Sequence, residues 1–245
     1  MSDFVRHESC PQCFGSDPLG RFDDGHAFCF SCGWYESGSK FKKFKQVSAE
    51  NNNKNATNNV FLPYDCTDSL PIDVINWLFK YGISNKEIAQ YQFKWSPSWS
   101  RLVFPIYDKV GKLRFWQGRH FGPHIDKVSS KYFTVGLKDD YDVIPGDGDV
   151  ESLVVVEDYI SAIKVSRTHA ACPIFGSSIS TQRTCRFALR YSEIVLWLDF
   201  DKRKAAFEWK VKNKVLFRSI TPVFVTKDPK DYSDDEIAKI IQGVV

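Results

Sequence analysis

Two aspartates, Asp199 and Asp201, end the apolar run IVLWLDF, and Lys202, Arg203 and Lys204 follow at once. Two further apolar runs also end in acid: LVVVE closes on Glu157, and PVFVT is followed by KDPKDY, with Asp228 and Asp231. In an extended chain, alternation sends Asp199 and Asp201 to the same side. Like charges that close repel and are costly to desolvate. A hard divalent cation resolves the conflict, and carboxylate-held Mg²⁺ commonly engages substrate phosphates. The neighbouring cations then make sense as phosphate partners. The competing reading of each acid taken singly is a solvated strand-end group.

A second set of residues has metal-ligand spacing. Cys10-Pro-Gln-Cys13 and Cys29-Phe-Ser-Cys32 are two C-x-x-C pairs with fifteen residues between them. Each pair offers two thiolates from one tight turn, and four cysteines close a tetrahedral site. Such a zinc would be structural, and it would fold a segment too small to fold by burial alone. Cys66, Cys172 and Cys185 lack ligand spacing and read as ordinary core or surface residues. His26, in DDGHAFC, is either a reader of a nucleic-acid base or a plain turn residue, as is Asp24.

A third set is basic and aromatic. KLRFWQGRHF carries Lys112, Arg114, Arg119 and His120 among Phe115, Trp116 and Phe121, and KVSSKYF adds Lys127 and Lys131. Interleaved cations and rings suit phosphate contact with base stacking. A half-buried strand with a basic outer face has the same pattern.

Elements must bring these groups together. LPIDVINWLFKYG and SNKEIAQYQF read as helices, the second with Ser84 as cap and Glu87 in capping-box position. RLVFPIYD, KLRFWQGRHF and KYFTVG read as strands, with a turn over 109–112. Beyond PGDGDVES the pattern alternates. Strands LVVVE, PIFGS, IVLWLDF and ITPVFVT are followed in turn by helices DYISAIKVSRTH, TQRTCRFALRY, KRKAAFEWKVKN and SDDEIAKIIQGV. Continuous apolar strands joined by helices imply a parallel sheet covered on both faces, with chemistry at the carboxyl ends of its strands.

The bulk numbers frame this. The chain has 245 residues, 43% hydrophobic and 26% charged, with a net charge of +3, so a uniformly basic nucleic-acid coat is excluded and any such surface is local. No apolar run approaches the roughly 18 residues that span a bilayer, and MSDFVRHESC has no signal-peptide core. With seven cysteines, four of them in the two pairs, metal binding in a reducing compartment is expected over disulfides. Composition divides the chain into residues 1–36, an Asn-rich linker over 37–59 whose KFKKFK is either a solvated run or a phosphate contact, a segment 60–148, and the alternating region 149–245.

VVVED, LWLDFD and KDPKDY, in that order, resemble the acidic motifs of a TOPRIM fold. FPIYDKVGKLRFWQGR…KYF resembles the strands just before TOPRIM in bacterial and phage DNA primases, and CPQC…DGHAFCFSCGW resembles their zinc ribbon, especially that of the primase half of phage primase-helicases. The resemblance implies an α/β (α+β overall) chain: a small β zinc ribbon, a mixed α/β primase N-terminal subdomain with basic strands, and a Rossmann-like parallel TOPRIM sheet. It implies a DNA primase that makes short RNA primers on single-stranded DNA from ribonucleoside triphosphates.

Residue by residue, Glu157 matches the TOPRIM glutamate, a metal ligand or general base. Asp199 and Asp201 match the DxD pair, and Asp228 the later metal-binding aspartate. Arg119 and Lys131 match basic residues that hold nucleotide or template, with Lys202 as a further candidate. Cys10, Cys13, Cys29 and Cys32 match the zinc ligands, and His26 a ribbon position involved in choosing the priming site. Expected cofactors are one structural Zn and Mg (or Mn) at the acidic site.

No G-x-x-x-x-G-K-[ST] loop is present, so a separate replicative helicase is expected as partner beside a DNA polymerase. No membrane is expected, and the expected location is the cytoplasm, that of a host cell if the chain is phage-encoded. The sequence departs from the family pattern at Asp158, where Gly is usual, at Ser161, where an acid is usual, and after DxD, where Lys-rich sequence replaces Gly. These departures bear on metal stoichiometry more than on fold. Two other readings stay open: a TOPRIM nuclease using the same acids, and a non-catalytic single-stranded DNA-binding replication adaptor.

Overall fold

A computed structural model of the chain describes residues 3–12, 17–31, 34–36, 60–108, 110–122, 130–136, 143–146, 151–176 and 178–244. Cys13, Cys32, the Asn-rich segment, Lys109 and Lys127 lie outside the described residues. The chain divides into two compact units, residues 1–69 with 93–137, and residues 70–92 with 138–245.

The first unit holds two antiparallel sheets. One comprises β1 (Phe4–Glu8), β2 (Leu19–Phe22), β3 (Ala27–Cys29) and β4 (Tyr35–Glu36), hydrogen-bonded in that order. Its core is small: Cys10, Leu19, Ala27 and Cys29 are buried, with Trp34 packed against them. The other is a meander of β5 (Lys94–Ser96), β6 (Arg101–Tyr107), β7 (Leu113–His120) and β8 (Tyr132–Gly136). Proline is tolerated inside β6 because Pro105 lies beyond the stretch that β5 covers: β5 pairs only with Arg101 to Val103. Arg101 is buried on β6 and donates to the carbonyls of Gly118, Ser130 and Lys131, fixing the approach to β8.

The second unit is built on a parallel sheet. Its strands are β9 (Ser152–Val156), β10 (Ala171–Pro173), β11 (Glu193–Trp197) and β12 (Ser219–Pro222), in the order β10-β9-β11-β12. Every residue of β9 is buried, as a strand covered on both faces requires. Helices α1 (Ile72–Lys80), α2 (Asn85–Gln90), α3 (Tyr159–Ser166), α4 (Thr181–Ala188), α5 (Arg203–Asn213) and α6 (Asp234–Gln242) complete it. The expected capping box is present: Ser84 Oγ accepts from Glu87 N while Glu87 reaches back to Ser84 N. Arg167 ties this unit together, pairing with Glu87 and Asp234 at 2.8–2.9 Å and donating to the Gly82 carbonyl.

Strand PIFGS is displaced toward the N-terminus. The ladder runs through Ala171–Pro173, small residues with weak strand preference, and two more amide bonds follow before Phe175 turns at φ 53°. Among the described residues, no helix is long and apolar enough to cross a membrane.

Candidate active site

The strand order creates the site. From β9 the chain crosses to β10 on one side and then to β11 on the other, so β9 and β11 flank the switch point where α/β sheets bind ligands. Glu157 directly follows β9 and Asp199 lies two residues beyond β11. Backbone bonds hold both acids in place. The Glu157 carbonyl accepts from Phe175 N at 3.0 Å, and the Asp199 amide donates to Glu157 Oε1 at 3.2 Å.

Glu157, Asp199 and Asp201 each offer a carboxylate oxygen, and these oxygens lie within 4.8 Å of one another. The first two are half-buried and Asp201 is exposed. Asp201 arrives there by a route the sequence did not suggest. The strand stops at Trp197, Asp199 precedes a 3₁₀ turn over Phe200–Lys202 with its carbonyl accepting from Lys202 N, and Asp201 sits on that turn rather than on an extended chain. Lys202 pairs with Asp201 at 3.1 Å.

The electrostatics show congestion. Burial, and then the charge of Asp199, push Glu157 up to about 7. Burial, and then Asp228, push Asp199 up to about 6, against the pull of Lys230. Acids so raised near neutrality are the signature of carboxylates crowded without a compensating charge. Three hard oxygens converging in this way fit one divalent cation such as Mg²⁺.

Asp228 stands next to Asp199 but is engaged elsewhere: Lys230 Nζ donates to Asp228 Oδ2 at 2.5 Å and to Asp158 Oδ2 at 2.8 Å. Asp158 is also the N-cap of α3, its carboxylate accepting from Ser161 N and Ser161 Oγ. Two of the three departures from the pattern the sequence resembles, Asp158 and Ser161, are therefore bonded to one another. Sequence reasoning missed Lys230, which stands inside the quoted KDPKDY; its only signal was a cation between two acids.

The remaining candidates belong to the first unit. Arg119 faces Tyr132 across the β7–β8 ladder, donates to its hydroxyl at 2.8 Å, and lies over the rings of Phe121 and Tyr132. Lys131 is exposed, its ammonium 5.7 Å from the Tyr132 ring centroid. His26 follows the Asp24-Gly25 turn, stacks on Phe22 with centroids 4.2 Å apart and 8° between planes, and is gripped at Nδ1 by Asp24. The Cys10 sulfur accepts from Gln12 N at 3.4 Å.

No family model and no curated protein matches the chain. Solved structures do. The chain is similar to the zinc-binding and RNA polymerase domains of the Aquifex aeolicus primase, at 14% identity over 71% of this chain and 56% of that one, with a TM-score of 0.57. It is similar to the catalytic core of the E. coli primase, at 15% identity over 70% and 73%, with a TM-score of 0.53. The primase fragment of the bacteriophage T7 primase-helicase matches over 98% of this chain and 99% of that one, at 20% identity and a TM-score of 0.51. The chain thus has the mixed α/β fold of bacterial and phage DNA primase cores.

Proposed function

We propose that the chain is a DNA primase, a nucleotidyltransferase that makes short RNA primers on a single-stranded DNA template. The observation that carries this is the convergence of Glu157, Asp199 and Asp201 at the switch point of the parallel sheet, on a primase fold. In this reading residues 149–245 are a TOPRIM sheet, residues 60–148 the primase N-terminal subdomain, and residues 1–36 a zinc ribbon tethered by the 37–59 linker.

Glu157, Asp199 and Asp201 would hold Mg²⁺, which when bound neutralises charge on the transferring phosphoryl group. Asp228 shapes the set by pressing on Asp199. If Glu157 stays off the metal it would instead act as general base, a role that a carboxyl raised toward neutrality suits. Lys202, on the turn that carries Asp201, and Arg119 and Lys131 bind triphosphate or template phosphates. Tyr132 fixes the Arg119 guanidinium, so little side-chain entropy is lost when it meets a phosphate.

Cys10, Cys13, Cys29 and Cys32 would hold one structural zinc. His26, clamped by Asp24 and Phe22, would read the template start site. A replicative helicase and a DNA polymerase are the expected partners, in the cytoplasm of the cell. Asp158 and Ser161, bonded to one another as a helix cap, would serve the fold in this reading.

The test is primer synthesis on single-stranded DNA with labelled ribonucleotides and Mg²⁺. Short RNA products that vanish in Asp199→Ala, with zinc content intact, are expected. Undiminished synthesis in that variant sinks the site assignment. DNA fragments without nucleotide dependence would point to a nuclease, and template binding with no incorporation to an adaptor.

A further inference from the structure

We propose that Lys230 is the second positive centre of the acidic site, a built-in ammonium standing where a second divalent cation would otherwise be drawn. This rests on the reading of Glu157, Asp199 and Asp201 as the holders of one such ion.

Five acids gather at this edge of the sheet: Glu157, Asp158, Asp199, Asp201 and Asp228. Three of them turn oxygens toward a common point. The other two, Asp158 and Asp228, are joined by the Lys230 ammonium at 2.8 and 2.5 Å. An ammonium is a compact point charge with three donors, and here it bridges two carboxylates as a divalent ion would. The three groups are sheltered, with side-chain exposures of 15% for Lys230, 18% for Asp158 and 26% for Asp228.

Lys230 does not behave as a swinging surface lysine. It sits in the short turn Pro229–Asp231, which Asp228 precedes, the Asp228 carbonyl accepting from Asp231 N. The Lys230 carbonyl accepts from the buried Lys164 of α3, and the same ammonium holds the carbonyl of Tyr232. The ring of Tyr81 lies 6.0 Å from Lys230 Nζ. Asp158 is further committed to Ser161 as the cap of α3. Drawing a second cation onto Asp158 and Asp228 would require breaking both bonds to Lys230 and stranding a sheltered ammonium, which is costly.

The experiment counts Mn²⁺ ions bound to the zinc-loaded full chain by electron paramagnetic resonance, with Asp199→Asn as the blank. The expected result is one ion per chain for the native sequence. Lys230→Gln should bind two, with the line broadening of a close pair. Two ions on the native chain overturn the proposal, and so does a folded Lys230→Gln that still binds one. If circular dichroism shows Lys230→Gln unfolded, the native count decides alone. A native chain that binds no more Mn²⁺ than the blank removes the metal reading of the triad, and this inference with it. That failure is distinct from a count of two, which leaves the triad standing.

Discussion

Proton competition at the acidic site should make its metal affinity depend steeply on pH. Glu157 lies at about 7 and Asp199 at about 6 in the metal-free protein, raised first by partial burial and then by the neighbouring carboxylates. A divalent ion binds the deprotonated pair, so each proton must leave first. Near pH 8 both groups are almost fully ionised. Near pH 5.5, removing both protons weakens apparent affinity by about 100-fold, or about 3 kcal/mol. Carboxylates at their ordinary values would change affinity by less than about 1.3-fold over the same interval.

The stability of the metal-free chain should run the other way. Both carboxyls are raised on folding, so their contribution is fully present below their unfolded values and is lost as pH rises through about 6 and then about 7. Mn²⁺ titrations across this range, with melting of the metal-free and loaded chain beside them, provide the readouts. A pH-independent affinity would refute the crowding argument. So would a metal-free melting temperature that climbs between about pH 5.5 and about pH 8 with no reversal in Glu157→Gln.

Two further predictions concern the scaffold. Arg167→Ala removes the ion pairs to Glu87 and Asp234 and the bond to the Gly82 carbonyl, and should lower unfolding free energy by roughly 1–3 kcal/mol, discounted for partial exposure. Urea melts measure this, and a loss below about 0.5 kcal/mol would make the cluster ornamental. Gly136→Ala should be worse than its size suggests. Gly136 has φ +96°, and an added Cβ would stand 2.6 Å from the Arg114 carbonyl oxygen, so about 2 kcal/mol or more should be lost and the β7–β8 pairing loosened. Amide exchange across β8 would register it, and unchanged protection there would contradict the strain argument.

Local chemistry made much of this protein legible. Apolar runs of strand length ending in acid located Glu157 and Asp199, because a buried parallel strand needs no partner information to declare itself, whereas β12 stops at Pro222 and Asp228 follows it only six residues later. Ser84 and Glu87 announced their capping box three residues apart. Arg119 was visible as a cation among the rings of its own strand, but its partner Tyr132 was not, because only the antiparallel ladder sets the two face to face.

Tertiary structure decided what these pieces become. Strand order puts β9 beside β11, so Glu157 meets Asp199 although 42 residues separate them. Asp201 reaches the same point from a 3₁₀ turn, where strand alternation gave the right neighbour for the wrong reason. Lys230 bonds Asp158 from 72 residues away, and Arg167 joins Glu87 from 80. Residue type and near-neighbour spacing determine which groups are able to do chemistry, since capping, strand burial and thiol spacing are local. Which acids come together, and which are satisfied by a lysine, depends on long-range packing, which no local pattern encodes.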